Sequence, residues 1–254
     1  MTFFSFLLCI YNEDDYLLVR CFESILNQTF KNYEIVVIVD NPNFVISKKT
    51  KSLLNKFHRK QIIFNPVNYG LTKSLNIGLN RTKGKFIVRQ DADDYSHNKR
   101  LERAYKILNK NHKVYTSCSK IDGKIFPRFW FRLFYSNKII RFRNIFFHGA
   151  LIIDRDILLK YSYNEDFKYS QDFELYNRLL DNGVIIFFDK NSISYFQNHS
   201  NNNITSTYPL RQKYFYRMIL KKNSFLWKEN RYLKLFKIDY FITLYFYIKN
   251  NIKF

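Results

Sequence analysis

The sequence predicts an α/β fold, in which helices flank a mostly parallel β-sheet and a basic, aromatic helical extension follows. Strand-like and helix-like patterns alternate four times in the first half, which is typical of a parallel sheet built from βαβ units. The strand-like runs are continuously apolar, as expected of strands covered on both faces. From Thr205 onward the chain carries 11 Lys or Arg against 2 Asp or Glu. We therefore expect a domain over residues 1–204, with halves 1–95 and 96–204, and a tail over 205–254.

Four strands and three helices are predicted in the first half. The strands are the apolar or β-branched runs Phe3–Ile10, Tyr33–Asp40, Gln61–Phe64 and Lys85–Arg89. The helices are indicated by apolar residues at helical spacing, namely Leu18, Cys21, Phe22 and Ile25, then Leu53, Leu54 and Phe57, then Leu71, Leu75 and Leu79. Asp14 or Asp15 can cap the first helix, and the third is expected to end near Gly84.

The second half is less regular. Asp122 and Gly123 stand between two strand-like runs and predict a hairpin. Gly183 is expected to end a helix that begins at Asp172. The other predicted elements are a helix over Asn98–Asn109 and strands over Val114–Ser119, Lys124–Phe126, Gly149–Asp154, Val184–Phe188 and Ser192–Phe196.

The composition indicates a globular protein with an anionic partner. The 254 residues are 46% hydrophobic and 25% charged, which is the composition of a globular protein and excludes a disordered chain. The net charge is +21, and 27 Phe and 20 Tyr accompany it. This combination favours an anionic partner: nucleic acid, a membrane surface or a phosphorylated substrate.

Cysteine usage and the apolar runs indicate the compartment. Cys9, Cys21 and Cys118 are widely spaced and form no CxxC pair, so a disulfide framework or a metal–thiolate site is not expected. The apolar start lacks a preceding basic residue, and no stretch approaches the roughly 20 apolar residues that span a bilayer. We expect a cytoplasmic protein.

Acidic residues follow the predicted strands, at the edge where parallel α/β sheets bind ligands. Asp40 ends the second strand, Asp91 and Asp93 follow the fourth, and Asp172 opens a later helix. Two carboxylates in an Asp-x-Asp pattern can hold a hard divalent cation together with phosphate oxygens. An acidic turn before the next helix is the alternative for such an isolated pair.

The order and spacing of several segments resemble the inverting glycosyltransferases of family 2, which carry the GT-A fold. The resemblance covers roughly residues 3–200 and includes segments on both sides of the Asp-x-Asp pair. They are Cys9–Glu13 (CIYNE), Ser24–Phe30 (SILNQTF), Asn68–Leu71 (NYGL), Asp91–Asp94 (DADD), His148–Ala150 (HGA), Asn164–Phe167 (NEDF), Gln171–Leu175 (QDFEL) and Tyr195–His199 (YFQNH).

The resemblance implies a site for a nucleotide sugar, most simply a UDP-sugar. Asp40 matches the position that hydrogen-bonds uracil, Lys73 could neutralise the diphosphate, and Asp91 would face the nucleoside. Asp93 would bind Mg²⁺ or Mn²⁺, and His199 matches a residue that approaches the metal and the diphosphate. The donor-binding residues implied in this way are Tyr11, Asn12, Glu13, Asp40, Asn68, Gly70, Lys73, Asp91 and Ala92.

The same resemblance implies an acceptor side. Asp172 would be the catalytic base that takes the proton from an acceptor hydroxyl, and His148, Gly149 and Gln171 would shape the acceptor pocket. Three positions depart from the family pattern, since Val39 and Gln171 replace acidic residues and Gln197 replaces an arginine. Glu174 is better explained as a solvated helix charge.

These features predict an enzyme that moves one sugar to a glycan or lipid-linked acceptor in bacterial lipopolysaccharide or capsule synthesis. Arg231, Lys234 and Lys237 share one face of a predicted tail helix, which suits an anionic membrane surface, and packing of the helix on the catalytic domain is the alternative. Two other functions stay open: a catalytically silent GT-A scaffold that binds glycan or nucleotide, and a nucleic-acid-binding protein. No nucleic-acid-binding motif supports the latter, and no nucleic-acid partner is expected.

Overall fold

A computed structural model describes residues 2–198 and 209–229 of the chain, with side chains described up to residue 223. Within these residues nine strands form one sheet, in the order β3-β2-β1-β4-β8-β6-β9-β5, with β7 paired to β6. The strands are β1 (Phe4–Ile10), β2 (Tyr33–Val39), β3 (Lys60–Phe64), β4 (Phe86–Arg89), β5 (Tyr95–Ser96), β6 (Val114–Ile121), β7 (Lys124–Phe126), β8 (Ile152–Asp154) and β9 (Ile186–Phe196).

The helices lie on both faces of this sheet, so the α/β prediction is confirmed. They are α1 (Asp15–Leu26), α2 (Lys48–Asn55), α3 (Leu71–Leu79), α4 (Arg100–Leu108), α5 (Phe129–Leu133), α6 (Asn137–Ile140), α7 (Arg155–Tyr161), α8 (Gln171–Asp181) and α9 (Pro209–Glu229). Buried apolar side chains form one cluster on each side of the sheet. None of the described helices is long and apolar enough to cross a bilayer.

The first half has the βαβ architecture that its sequence predicts. Strands β3, β2, β1 and β4 are parallel neighbours, and β1 and β2 are buried along nearly their whole length. Asp14 occupies the N-cap position of α1 without a side-chain cap bond. The Asp15 carboxylate instead accepts hydrogen bonds from Ser47 and Thr50 at the start of α2. Helix α3 ends at Leu79, several residues before the expected end near Gly84.

The second half mixes strand directions. Strand β8 runs antiparallel to both β4 and β6, whereas β9 runs parallel to β6. The expected strand over Gly149–Asp154 begins only at Ile152, because His148–Ala150 forms a 3₁₀ turn. The sequence pattern did not reveal the short elements β5, α5, α6 and α7.

Two strands predicted near the end of the domain are one strand in the structure. Residues Val184–Phe188 and Ser192–Phe196 were expected to be separate, but β9 runs continuously from Ile186 to Phe196. Its pairing with β6 is irregular, since Asp189 pairs with Ser117 and Ile193 with the next residue, Cys118. The Asp189 carboxylate accepts hydrogen bonds from the backbone N–H of Asn191 and from Ser192. A β-bulge therefore stands where the polar sequence suggested a break.

Helix α9, which begins the predicted tail, packs against α8. The rings of Phe173 and Tyr216 stack with centroids 4.6 Å apart, and the Asn223 amide donates to the Asn177 side chain at 2.8 Å. The tail residues proposed to face a membrane, Arg231, Lys234 and Lys237, lie outside the described residues, and so does His199.

Candidate active site

The Asp91–Asp94 loop follows β4 and is held mainly through Asp94. The Asp94 side chain is 1% exposed and accepts hydrogen bonds from the Tyr195 hydroxyl at 2.5 Å and from the Asn198 backbone N–H at 2.7 Å. The same hydroxyl lies 3.1 Å from Asp91 Oδ2. Ala92 is buried at 2% exposure. The loop is thereby tied to the end of β9, a connection that the sequence did not reveal.

Two buried arginines hold this loop and the strand end that precedes it. Arg89 is 2% exposed, and its guanidinium pairs with Asp91 Oδ1. Arg100 is fully buried and donates to the carbonyl oxygens of Arg89 at 3.0 Å and Gly149 at 2.7 Å. The positive charges of the two arginines partly balance the negative charges of the Asp91–Asp94 loop. Their hydrogen bonds fix the backbone at the carboxyl end of β4.

Acidic side chains converge beside the loop. Burial, together with the negative charges of Asp91 and Glu13, raises the pKa of Asp93 to about 7. Burial also raises the pKa of Glu13, whose carboxylate accepts the backbone N–H of Tyr11 at 2.8 Å. Tyr11 and Asn12 are exposed. The sequence-predicted donor residues of β1 and β4 therefore come together, and they leave an excess of negative charge.

This excess suits a divalent cation, although the protein supplies few ligands. No cluster of three or more His, Cys, Asp or Glu side chains within the described residues could hold a metal ion. Mg²⁺ and similar cations are commonly held by one or two carboxylates together with substrate phosphates. The pair Asp91 and Asp93 fits that arrangement.

Asp40 organises the loop before α3. It is 2% exposed, and its Oδ1 accepts the Asn65 amide at 2.7 Å and the Tyr69 backbone N–H at 2.8 Å. Asn68 in turn accepts the N–H of Gly70, whose φ of +82° suits glycine. Asp40 therefore holds the Asn68–Gly70 turn in place. Its own carboxylate has little exposed surface with which to contact a ligand.

Lys73 is exposed on the first turns of α3. Its ammonium group lies 4.2 Å from the centroid of the Tyr69 ring, a cation–π contact. The contact orients the positive charge of Lys73 at the carboxyl edge of the sheet, near the loop that Asp40 fixes. This position is compatible with the predicted role of Lys73 beside a diphosphate.

Asp172, the predicted base, lies at the N-terminus of α8 and lines a pocket. Its two carboxylate oxygens accept the Asn144 amide at 2.6 Å and the Phe173 backbone N–H at 2.8 Å. Burial raises its pKa, the two hydrogen bonds lower it, and the negative charge of Asp91 raises it. Gln171 beside it is buried at 8% exposure. The pocket has a volume of about 300 Å³ and is lined by Asn144, Ser170, Asp172, Phe173, Pro209, Gln212, Lys213 and Tyr216.

His148 and Gly149 lie between the two acidic regions. The Nε2 atom of His148 is 2.9 Å from the Tyr163 hydroxyl, and burial lowers the pKa of His148 to about 3, so its ring is neutral. A Cβ atom on Gly149 would lie 1.8 Å from the Tyr195 hydroxyl oxygen. Glycine is therefore required here so that Tyr195 can reach Asp91 and Asp94.

Several residues of the site could not be found from the sequence. Asp94 and Tyr195 stood inside recognisable segments, but nothing in the pattern paired them. Asn144 and Arg100 had no motif at all. Their partners are distant in the sequence, so only the folded sheet reveals them.

The sequence profile of glycosyl transferase family 2 matches residues 5–167, which is more than half of the chain. The chain belongs to glycosyl transferase family 2. Among its relatives, an uncharacterized glycosyltransferase of Methanocaldococcus jannaschii is 30% identical over 190 residues, which cover 70% of this chain and 64% of the relative. The O-antigen biosynthesis glycosyltransferase WbnJ of Escherichia coli is 30% identical over 70% of this chain and 71% of its own length. The match thus spans a little under two thirds of the archaeal relative.

Solved structures confirm the GT-A fold of this family 2 chain. TarS of S. aureus in complex with UDP-GlcNAc superposes with a TM-score of 0.69 at 20% identity, over 86% of this chain and 65% of TarS. A mannosyltransferase of Pyrobaculum calidifontis, in complex with GDP-Man and Mn²⁺, superposes with a TM-score of 0.64 at 17% identity, over 82% of this chain and 60% of the other.

Proposed function

We propose that this family 2 chain is an inverting glycosyltransferase that moves one sugar from a nucleotide-diphosphate donor to a hydroxyl of a glycan or lipid-linked acceptor. The observation that carries the proposal is the position of Asp172. Asp172 is a carboxylate with a raised pKa at the wall of a pocket. The negative charge of Asp91, in the donor-side loop, contributes to raising that pKa. A candidate base beside a pocket, near enough to the acidic loop for the charge of Asp91 to act on it, suits a reaction between two substrates.

The proposed reaction is a single displacement. The acceptor oxygen forms a bond to the anomeric carbon as the bond from that carbon to the diphosphate oxygen breaks, and the electron pair leaves with the nucleotide. The acceptor proton passes to a carboxylate oxygen of Asp172. Each of these oxygens already accepts one hydrogen bond, from Asn144 or from the Phe173 N–H, and keeps a second lone pair for the acceptor hydroxyl. Attack opposite to the leaving group inverts the anomeric configuration.

Asp93, with Asp91, would hold Mg²⁺ or Mn²⁺. A bound divalent cation supplies a Lewis acid that balances the negative charge of the leaving diphosphate. The raised pKa of Asp93 supports this assignment, because a cation would relieve the repulsion among Asp93, Asp91 and Glu13. The Mn²⁺ in the mannosyltransferase with the similar fold is in keeping with such a site.

The donor is proposed to be a UDP-sugar. Tyr11, Asn12, the Asn68–Gly70 turn and Lys73 would line its nucleotide and diphosphate, and Asp40 would fix that turn from beneath it. His199 stays a proposed ligand on sequence grounds alone. TarS was solved with UDP-GlcNAc and the mannosyltransferase with GDP-Man, so the fold is compatible with either nucleotide.

The acceptor is proposed to enter the pocket beside Asp172. Tyr216, whose ring stacks on the fully buried Phe173, offers an aromatic surface for a sugar ring, and Lys213 and Gln212 from α9 offer polar contacts. His148, Gly149 and Gln171 would support this side of the site. The relative from O-antigen biosynthesis favours a role in bacterial surface polysaccharide synthesis at the cytoplasmic face of the membrane, where the basic tail over 205–254 could contact anionic lipid.

A screen of nucleotide sugars by thermal unfolding tests the proposal. A ligand that binds the folded state raises the unfolding temperature, so a UDP-sugar with Mn²⁺ should stabilise the protein and stabilise Asp93→Asn less. The stabilising donor should then be hydrolysed or transferred by the wild type, and Asp172→Asn should bind it without transfer. Binding without any turnover by the wild type would favour the catalytically silent scaffold instead. If no nucleotide sugar stabilises the protein, the donor assignment is wrong.

A further inference from the structure

Five large apolar side chains are exposed within ten residues of the segment that precedes the His148–Ala150 turn. We call them the 125–134 patch: Ile125 (36% exposed), Phe129 (62%), Trp130 (65%), Leu133 (50%) and Phe134 (51%). Single exposed apolar residues are common on protein surfaces, but a contiguous group of this kind marks an interaction site.

The patch is built on a short helix that is anchored from its inner side. Phe131 of α5 packs against the core cluster on that face of the sheet. The Arg132 guanidinium donates to the carbonyl oxygen of Lys190 in β9 at 3.2 Å. The rings of Trp130 and Phe134 are parallel, with centroids 6.1 Å apart. The aromatic side chains therefore point outward because the opposite side of the helix is fixed.

Basic residues flank the patch in the sequence. Lys124 and Arg128 are exposed beside it, and residues 119–147 contain seven Lys or Arg and one Asp. Apolar and aromatic side chains beside basic ones are what an anionic lipid interface binds: the rings enter the headgroup layer and the cations remain among the phosphates. We propose that the 125–134 patch docks this protein on an anionic lipid bilayer, with Trp130 and Phe134 inserted at headgroup depth.

Other occupants fit these observations less well. A single-stranded nucleic acid needs free ring faces for base stacking, whereas Trp130 and Phe134 face one another and Ile125 and Leu133 are aliphatic. A second copy of the chain would bring two basic patches together. The same repulsion opposes residues 230–254 of this chain, which carry five Lys or Arg and one Asp.

The 125–134 patch is connected to the acceptor side of the proposed site. The segment that carries it continues through α6 to Asn144, whose amide holds Asp172. Phe126, at the edge of the patch, also contacts Phe147, with ring centroids 5.4 Å apart. A bilayer at the patch would thus lie on the acceptor side of the protein. Docking through these exposed and basic side chains does not depend on the proposed transfer reaction.

Fluorescence of Trp130 in the full chain provides a direct test. Trp227 is the other tryptophan, so Trp227→Phe leaves Trp130 as the sole reporter. Vesicles of phosphatidylcholine mixed with phosphatidylglycerol should shift its emission to shorter wavelength, and vesicles of phosphatidylcholine alone should shift it less. The absence of any shift with the anionic vesicles would overturn the proposal.

Vesicle sedimentation with matched variants locates the contact. The double variant Trp130→Ser, Phe134→Ser should lower the partition coefficient on anionic vesicles about tenfold. Lys124→Gln and Arg128→Gln should each lower it about fivefold, and added salt should reduce the effect. Tyr16→Ser is the control, because Tyr16 on α1 is 64% exposed, nearly as much as Trp130.

Three results would count against the lipid surface. Unchanged partitioning of the double variant would place the membrane contact elsewhere, including the tail. Concentration-dependent self-association that the double variant removes would make the patch an interface between two copies. Oligonucleotide binding that the double variant removes, without vesicle binding by the wild type, would make it a nucleic-acid surface. Circular dichroism and thermal unfolding of each variant ensure that a loss reflects the surface rather than the fold.

Discussion

The phenol of Tyr195 donates a 2.5 Å hydrogen bond to the buried carboxylate of Asp94, which lies 101 residues earlier in the chain. The bond joins the end of β9 to the loop after β4, and the same hydroxyl reaches Asp91. Burial raises the pKa of Asp94 well above its usual range, and the charges of Asp91 and Asp93 raise it further. The loop therefore depends on a donor that a distant strand supplies.

Tyr195→Phe is expected to destabilise the protein by about 1 to 3 kcal/mol, because it removes one of the two hydrogen-bond partners of the buried Asp94 carboxyl group. Chemical denaturation measures the change. Tyr95→Phe is the matched control, since the Tyr95 ring stacks on Phe196 at 4.8 Å and phenylalanine retains that stack. Equal effects of the two variants would contradict a special role for the Tyr195 hydroxyl.

Gly149→Ala is expected to destabilise the protein by about 2 to 4 kcal/mol through overpacking. The new Cβ would lie 1.8 Å from the Tyr195 hydroxyl oxygen and 2.1 Å from its Cζ, so Tyr195 would have to move. A double-mutant cycle with Tyr195→Ala gives the test: the cost of Gly149→Ala should be much smaller in that background. Additive costs would show that the alanine is opposed by something other than Tyr195.

The sequence predicted the first half of this fold well because each of its signals is local. The apolar runs that became β1 and β2 are buried on both faces, and such strands pair with sequence neighbours across short βα connections. The pairing of β8 between β4 and β6, and the bulge at Asp189 that keeps β9 continuous, depend on contacts far apart in the chain. A local pattern carries no signal for such pairings.

The same distinction applies to the site. Asp91, Asp93 and Asp172 were predicted as site residues because motifs and strand ends mark them. The roles of Tyr195, Arg100 and Asn144 were not predicted because each depends on a partner: an aspartate, two carbonyl oxygens and another aspartate, respectively. These contacts form only in the folded chain, so the sequence pattern around each residue does not reveal them.

Asp93→Asn is expected to stabilise the metal-free protein at neutral and alkaline pH. The pKa of Asp93 is about 7 in the folded protein and near 3.8 when unfolded, so the folded state binds the proton more tightly. The stability that this group contributes is complete below pH 3.8 and is lost as the pH rises through 7. The variant should gain about 1 to 2 kcal/mol over wild type above pH 7, a value reduced because the side chain is partly exposed.

Denaturation in a chelating buffer at several pH values measures this gain. The difference between variant and wild type should grow from acidic to neutral pH and then level off. A difference that does not vary with pH would mean that Asp93 ionises normally. Mn²⁺ should stabilise the wild type and have less effect on the variant, which provides an independent check.

Two substitutions of Asp40 separate its structural role from nucleotide recognition. Asp40→Ala should cost about 1 to 3 kcal/mol, since the Asn65 amide and the Tyr69 N–H lose their acceptor. Asp40→Asn can keep that acceptor through its carbonyl oxygen and should be less destabilised. If Asp40 also reads uracil, Asp40→Asn should still lose about tenfold or more in UDP affinity, measured by calorimetry. Unchanged UDP affinity would confine Asp40 to holding the turn.

Asn144→Ala is expected to shift the pH dependence of sugar transfer to higher pH. The Asn144 amide donates to Asp172 at 2.6 Å and lowers the pKa of that carboxyl, against the effect of burial. A general base acts only when deprotonated, so activity falls on the acidic side as Asp172 is protonated. Without the amide the pKa of Asp172 rises, and the acidic limb of the kcat/KM profile should move upward. Asn80→Ala, at the exposed end of α3, is the control and should leave the limb in place. A limb that stays in place in Asn144→Ala as well would assign the titration to a group other than Asp172.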